Sequence, residues 1–395
     1  MGRFSLRRRG VVGALVGALA CAGALSATTA AGAATDAAPV KIMIITDLSS
    51  QSLGFANPEG PASLKAALKD IPNVTVLSCD SKGTAADGEA CAQKAVNEGV
   101  AAVVLGFAQG TTDILKAAGI PVVGNSSSTD PNAFAMSNAG ALYAGNGVAL
   151  AKSGCKKMGI LYLDGTDALV DFVKKGAESA GAKEVARAPI AANAPDLAPA
   201  ISKLTGAGAQ CIALSVIPSQ VAQAVTAINQ SGKKLTMAAV SAIVTPEVLD
   251  SLGDLANGIL IVDGQQNGAD KTSPGIKKVT KQIKAVDSSA DITEVGLIDY
   301  ISGRVIAAAL KADPTATTPA ALTTALNGLS DVPVEGIVHP ISMVELTNPD
   351  YTRLFNHYGI SYKIVKGIPT RQGDFFDISP ILQKPTATTT TSKSK

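Results

Sequence analysis

One stretch restricts the architecture more than any other: residues 100–131, VAAVVLGFAQGTTDILKAAGIPVVGNSSSTDP. Residues 100–105 are small and β-branched, a run that suits burial on both faces of a parallel sheet. Residues 106–110 break it. Residues 111–118 have the length of one short helix, and Gly119 ends that helix. Residues 120–123 start a second strand, stopped by the polar run 124–131. Two strands joined by a helix form a βαβ unit, whose two loops open on one edge of the sheet. In open α/β folds that edge, at the carboxyl ends of the strands, is where ligands bind. The second loop, Asn125-Ser126-Ser127-Ser128-Thr129, is dense in hydroxyls and amides. It reads as one wall of a ligand cleft, against the plainer reading of a polar turn.

The same alternation extends both ways. Upstream lie strands 41–46 and 74–78 with helices 58–69 and 85–97. A short extended piece, 134–137, leads into an Ala/Gly-rich helix, 139–152. A second series follows, with strands 158–163, 183–190, 211–216, 235–240 and 258–262 and helices between them. Thr245-Pro246-Glu247 has the form of a helix start, with Thr as N-cap and Pro at the first position. Such regular alternation implies the α/β class, here as two Rossmann-like, doubly wound parallel-sheet halves. At 395 residues the chain is long enough for two domains. Beyond residue 265 come helices 273–286, 294–311 and 319–327 and two candidate strands, 336–344 and 362–365. Residues 386–395 are rich in Thr, Ser and Lys and are expected to be a disordered tail.

The N-terminus reads as a secretory signal peptide over residues 1–33. It has a basic start at Arg7-Arg8-Arg9, an apolar stretch 10–25, and the small-residue site Ala31-Gly32-Ala33. Sec and twin-arginine export both fit. Cys21, after Ala18-Leu19-Ala20, offers lipid anchoring as an alternative to cleavage near Ala33. The expected location is therefore periplasmic, cell-envelope or extracellular. The formal charge is +2. Without Arg3, Arg7, Arg8 and Arg9 the balance is 30 basic against 32 acidic residues, which gives no reason to expect nucleic acid or an anionic membrane as partner.

Export makes disulfides the expected fate of the four remaining cysteines. Cys79 follows a strand and Cys91 lies in the next helix. Cys155 and Cys211 each precede an apolar strand, and they meet if those strands are parallel neighbours. The expected pairs are Cys79–Cys91 and Cys155–Cys211. No metal site is expected: C-x₂₋₄-C spacing is absent and His339 and His357 are far from the cysteines.

Several phrases, in order, resemble the type I periplasmic-binding-protein family, in particular the branched-chain-amino-acid (leucine-binding-protein-like) group of ABC-transporter substrate-binding proteins. They are VKIMIITDLS, ACAQKAVNEGVAAVVLG, AAGIPVVGNSSSTDP, KKMGILYLDGTDALVDFVKKGAESAGA and IDYISGRVIAAAL, and the resemblance covers about residues 40–381. It implies two lobes joined by three hinge crossovers, with a ligand cleft between them. Lobe 1 would hold residues 40–137 and 268–333, and lobe 2 residues 138–267 and 334–382, with hinges near 137–138, 265–267 and 333–336. The partners it implies are a small-molecule ligand and the membrane permease and ATPase subunits of an ABC importer, with the receptor a monomer that needs no cofactor.

Carried onto this sequence, the family's contact loops suggest Ser52, Phe107, Gly110, Thr111, Ser126, Ser128 and Thr129 from lobe 1. Asp167, Ser219 and Ala242 would come from lobe 2, and Tyr300 would pack on the ligand beside Phe107. Clustered backbone N–H groups and hydroxyls in loop 125–129 would hold a polar head, with Gly110 letting backbone approach closely. Two departures matter. Gly110 stands where amino-acid-binding members have serine. The loop after strand 235–240 reads Ser241-Ala242-Ile243-Val244, without the acid that meets the ligand's ammonium. An unpaired ammonium in a closed cleft is costly. The departures speak against a standard α-amino acid; the expected ligand is a small acid, an amide or a partly apolar compound, with an amino-acid-like one the further alternative.

The motifs of an enzyme are missing. G-x-G-x-x-G after a strand, G-x-x-x-x-G-K-[ST], G-x-S-x-G and H-E-x-x-H do not occur. Ser231-Gly232-Lys233-Lys234 matches S-x-x-K, but at a helix C-terminus, where lysines complement the dipole. Gly145-Asn146-Gly147 lies inside a helix and reads as a packing feature. The rival to transport is a ligand-sensing receptor subunit on the same fold.

Overall fold

The structure, a computed structural model, describes residues 39–50 and 56–383. The signal peptide, Cys21, Ser52 and the tail 386–395 lie outside the described residues.

The first sheet is parallel throughout. Its strands are β1 (Val40–Thr46), β2 (Val74–Asp80), β3 (Ala102–Leu105), β4 (Val122–Gly124) and β5 (Ala133–Ala135), in the order β2-β1-β3-β4-β5. Every residue of β3 is buried, as the apolar run 100–105 predicts, whereas the edge strand β2 is half-exposed. Helices α1 (Gly60–Leu68), α2 (Ala85–Glu98) and α3 (Thr112–Ala117) join the strands. Thr84 caps α2 by accepting from the Asp87 N–H at 3.1 Å, and Gly99 ends it at φ +63°.

The chain then leaves this sheet. Helix α4 (Ala139–Lys152) precedes β6 (Lys157–Leu163), α5 (Asp167–Ser179), β7 (Lys183–Ile190), α6 (Ala198–Gly206), β8 (Cys211–Ser215), α7 (Pro218–Gln230), β9 (Thr236–Val240), α8 (Pro246–Leu252) and β10 (Leu260–Asp263). These strands form a second parallel sheet in the order β10-β9-β8-β6-β7. The glycines of α4 are packing residues: a Cβ on Gly147 would lie 2.1 Å from the Val173 carbonyl oxygen of α5.

Helices α9 (Pro274–Val286), α10 (Glu294–Ala312) and α11 (Pro319–Asn327) return to the first sheet. Ile276, Val279, Leu297, Ile301 and Leu322 share one core with Ile42 and Val104. The last strands, β11 (Tyr358–Val365), β12 (Ile368–Arg371) and β13 (Phe376–Asp377), add an antiparallel edge to the second sheet, and α12 (Ser379–Leu382) follows. Two parallel-sheet lobes result, and the chain passes between them three times, after β5, after β10 and before β11.

The stretch after Pro333 differs from the expectation. Residues 336–344 do not form a strand; their ladder is one bridge between Val332 and Ile341. Val334, Ile337, Val338, Ile341, Met343 and Phe355 bury in the first core, so the chain stays with the first sheet to Phe355. Pro340 has no N–H to give a ladder, and the apolar residues of this stretch bury singly. The last crossing therefore lies at 356–357, not at 333–336. There Asn356 donates to the carbonyl oxygens of Met136 at 3.2 Å and Gly264 at 3.1 Å, touching all three crossings with one side chain.

Both disulfides form as paired above, Cys79–Cys91 tying β2 to α2 and Cys155–Cys211 joining the starts of the neighbouring strands β6 and β8. By chain entropy, closing loops of 12 and 56 residues stabilises by about 3 and about 4 kcal/mol.

Candidate functional site

The carboxyl edges of both sheets meet where β9, β10 and the start of α10 converge. The Ser241 hydroxyl, in the turn after β9, lies 2.7 Å from Asp263 Oδ2 at the end of β10. It also lies 2.7 Å from Glu294 Oε2, the first residue of α10 and so part of the other lobe. Asp263 is buried and Glu294 half-buried. Burial pushes the Asp263 carboxyl up to about 6, against the lowering pull of the Ser241 hydroxyl and the Gly264 and Gln265 N–H groups. Burial and the Asp263 charge push Glu294 well above the usual carboxylate range.

A second group of carboxylates lies on lobe 1. Asn57 donates to Asp299 Oδ2 at 2.6 Å, and both residues are fully buried. Asn57 Oδ1 and Asp299 Oδ1 have no hydrogen-bond partner. Burial, with the Glu59 charge adding to it, holds Asp299 at about 7. Thr293 donates to Glu59, whose carboxyl burial also raises. Among the described residues no lysine, arginine or histidine forms an ion pair with Glu59, Asp263, Glu294 or Asp299. None of these groups comprises three side chains placed to hold a metal ion. The arrangement is rich in acceptors and poor in donors.

The residues singled out from the sequence fall in several places. Phe107 is half-buried, its N–H donating to Thr46 Oγ1 and its carbonyl accepting from the Asp47 N–H, at the carboxyl ends of β1 and β3. Gly110 does permit a close approach at φ +77°, but to the start of α2: a Cβ there would lie 2.5 Å from the Ala85 carbonyl oxygen. Thr111 and Ser126 come together, lining a cavity of about 20 Å³ with Lys116 and Asp130. The buried Ser126 Oγ has no protein partner, and the space is that of one water molecule.

Ser128 donates to the Asp350 carbonyl at 2.7 Å, and its own carbonyl accepts from the Arg353 N–H at 2.9 Å. The Thr129 hydroxyl pairs with Ser127 at 3.1 Å. The expected polar wall thus binds the returning chain and itself. Asp167 is exposed at the start of α5 and accepts from the Tyr162 hydroxyl at 2.9 Å. Ser219 is exposed in the first turn of α7, and Ala242 packs on the second lobe's core.

Tyr300 is a correction. It is fully buried within the first core, and its hydroxyl donates to Gln282. Helix α10 is enclosed on nearly all sides, so an aromatic there reaches core, not cleft. Sequence reasoning passed over Asn57, Glu59, Asp263, Glu294 and Asp299. Ser241 was in view only as the place where an acid was missing; the acids arrive from β10 and from the other lobe.

The family model for periplasmic binding proteins matches residues 39–350. No curated protein sequence matches the chain. Among solved structures, a leucine-binding protein from Thermotoga maritima is similar at TM-score 0.67 and 14% identity, covering 86% of this chain and 99% of that one. A solute-binding protein of an ABC transporter from R. palustris, in complex with 4-hydroxybenzoate, gives 0.69 and 19%, covering 86% and 97%. An ABC transporter substrate-binding protein from Sphaerobacter thermophilus gives 0.69 and 18%, covering 86% and 98%. These relatives are solute-binding proteins, not enzymes. With two parallel-sheet lobes, three crossings and a family match over most of its length, the chain belongs to the periplasmic binding protein family.

Proposed function

We propose that the protein is the extracytoplasmic receptor of an ABC importer, taking a small organic solute between its lobes and delivering it to a membrane permease and ATPase. The observation that carries this reading is the Ser241 hydroxyl, bonded to Asp263 on one lobe and Glu294 on the other where the two carboxyl edges meet. A solute held there faces carboxylates without a protein counter-charge. It therefore brings donors of its own, an ammonium group foremost, which turns the ligand expectation from an acid back toward an amino-acid-like compound. The family supports the extracytoplasmic importer role, and mass spectrometry of the mature N-terminus distinguishes cleavage of residues 1–33 from a lipid on Cys21.

A thermal-shift screen over amino acids, amines, amides and 4-hydroxybenzoate, followed by calorimetry, tests the reading. An amine-bearing solute should bind, and Glu294→Gln should weaken it by about 1.5–3 kcal/mol, the range for hydrogen bonds to charged groups. Tight binding of acids alone, undisturbed by that substitution, would overturn the donor assignment. Binding without solute uptake in cells would favour the sensing alternative.

A further inference from the structure

We propose that Asp263, Ser241 and Glu294 form a proton-operated latch between the lobes of the solute-free protein: its closure takes one proton from solvent and its opening returns it, whereas a cationic solute takes that proton's place. This rests on the two-lobe receptor reading and adds its regulation.

The geometry sets a proton count. A serine hydroxyl has one hydrogen to donate. Ser241 Oγ lies at the same short distance, 2.7 Å, from a carboxylate oxygen on each lobe. It can donate to one of them. The other contact is a hydrogen bond only if that carboxyl carries its own proton and donates to Ser241 Oγ. With both carboxyls ionised, one oxygen faces a lone pair, and two negative charges face each other across the junction in a water-poor setting.

Among the described residues nearby, none supplies the missing positive charge. On lobe 2, Asp263 faces Ser241, the Gly264 and Gln265 N–H groups and, from β11, the Tyr362 hydroxyl, itself in the field of Asp270 and Arg371. On lobe 1, Glu294 follows Thr293, whose hydroxyl donates to Glu59; Asp291 and Asp299 act on or with Glu59. Apart from Arg371, which acts on Tyr362, every charged group in this set is acidic. A proton is the smallest positive charge that completes the bridge.

The sign follows. Both carboxyls are raised where the lobes touch, Asp263 to about 6. When the lobes part, water reaches them and they return toward ordinary carboxylate values. The closed state therefore binds protons more strongly. Closure is fully favoured below the ordinary carboxylate range and is lost as pH rises through about 6 and above.

Small-angle scattering of the ligand-free protein at about pH 5 and about pH 8 tests this, with circular dichroism confirming the fold. The wild type should be compact at the lower pH and expanded at the higher. Glu294→Gln removes one charge and keeps a donor, and should be compact at both; Asp263→Asn should behave alike. A wild-type radius that does not change with pH, or a Glu294→Gln protein that keeps the wild-type change, would overturn the latch. A solute that compacts the wild type while pH alone does not would sink the latch and leave the receptor reading standing.

Discussion

Loop 125–129 and the turn at Ser241 sit on facing lobes and make opposite use of the hydroxyl group. The first carries four hydroxyls in sequence, the second one. Yet Ser127, Ser128 and Thr129 bond within the loop or to the segment 350–353, and Ser126 faces a cavity for a single water. The lone Ser241 spans the lobes. The density of polar groups in a sequence measures how many partners a segment needs. Where those partners come from decides whether any group remains for a ligand.

Removing Arg353 should break this contrast most severely. Its guanidinium is buried between Phe134 and Phe355, at 4.5 and 4.8 Å from their ring centres, and donates to Ala133, Asn327 and Glu345. Its backbone N–H holds Ser128. Arg353→Ala should cost about 3 kcal/mol in denaturant unfolding. The substitution keeps that N–H, so a loss well under this figure would show that segment 350–353 stays seated on the loop without the buried guanidinium.

Asn356→Ala ranks next, at about 2 kcal/mol, because two buried carbonyls lose their donor. It should also loosen exchange protection at residues 136–138 and 264–268 together; protection lost at one crossing alone would show that they are not coupled. Ser128→Ala sharpens the comparison at the smallest scale. It should cost about 1 kcal/mol of stability by freeing the Asp350 carbonyl, with Thr129→Ala near zero. Weakened solute binding at unchanged melting temperature would return loop 125–129 to the role first expected of it.

Much of the fold was legible because its signals are local. Helix α4 runs over residues 139–152 as read, Thr84 and Gly99 punctuate α2, and the buried run 100–105 contains β3. The disulfides were legible because neighbouring parallel strands bring Cys155 and Cys211 to one edge. Residues 336–344 misled, since an apolar run with two residues of alternation reads as a strand even where its side chains anchor one by one. The site was hardest. Glu294 reads as an ordinary acidic first residue of a helix and Asp263 as the end of a strand. Asp263 reaches Ser241 because β10 pairs with β9, and Glu294 only through the return of α10 to the other lobe. Tyr300 misled because aromatic character says nothing about which side of a helix is covered.

The three crossings have a consequence for the order in which the chain becomes stable. Asn57 and Asp299 are hydrogen-bonded partners 242 residues apart, and the first core needs residues as late as Phe355. The second sheet needs β11, which follows immediately. Neither lobe is complete while the chain is still emerging, and both finish within the same few residues. Closure of such long loops is slow, so neither lobe of a newly made chain gains its full core until nearly all of the chain is present.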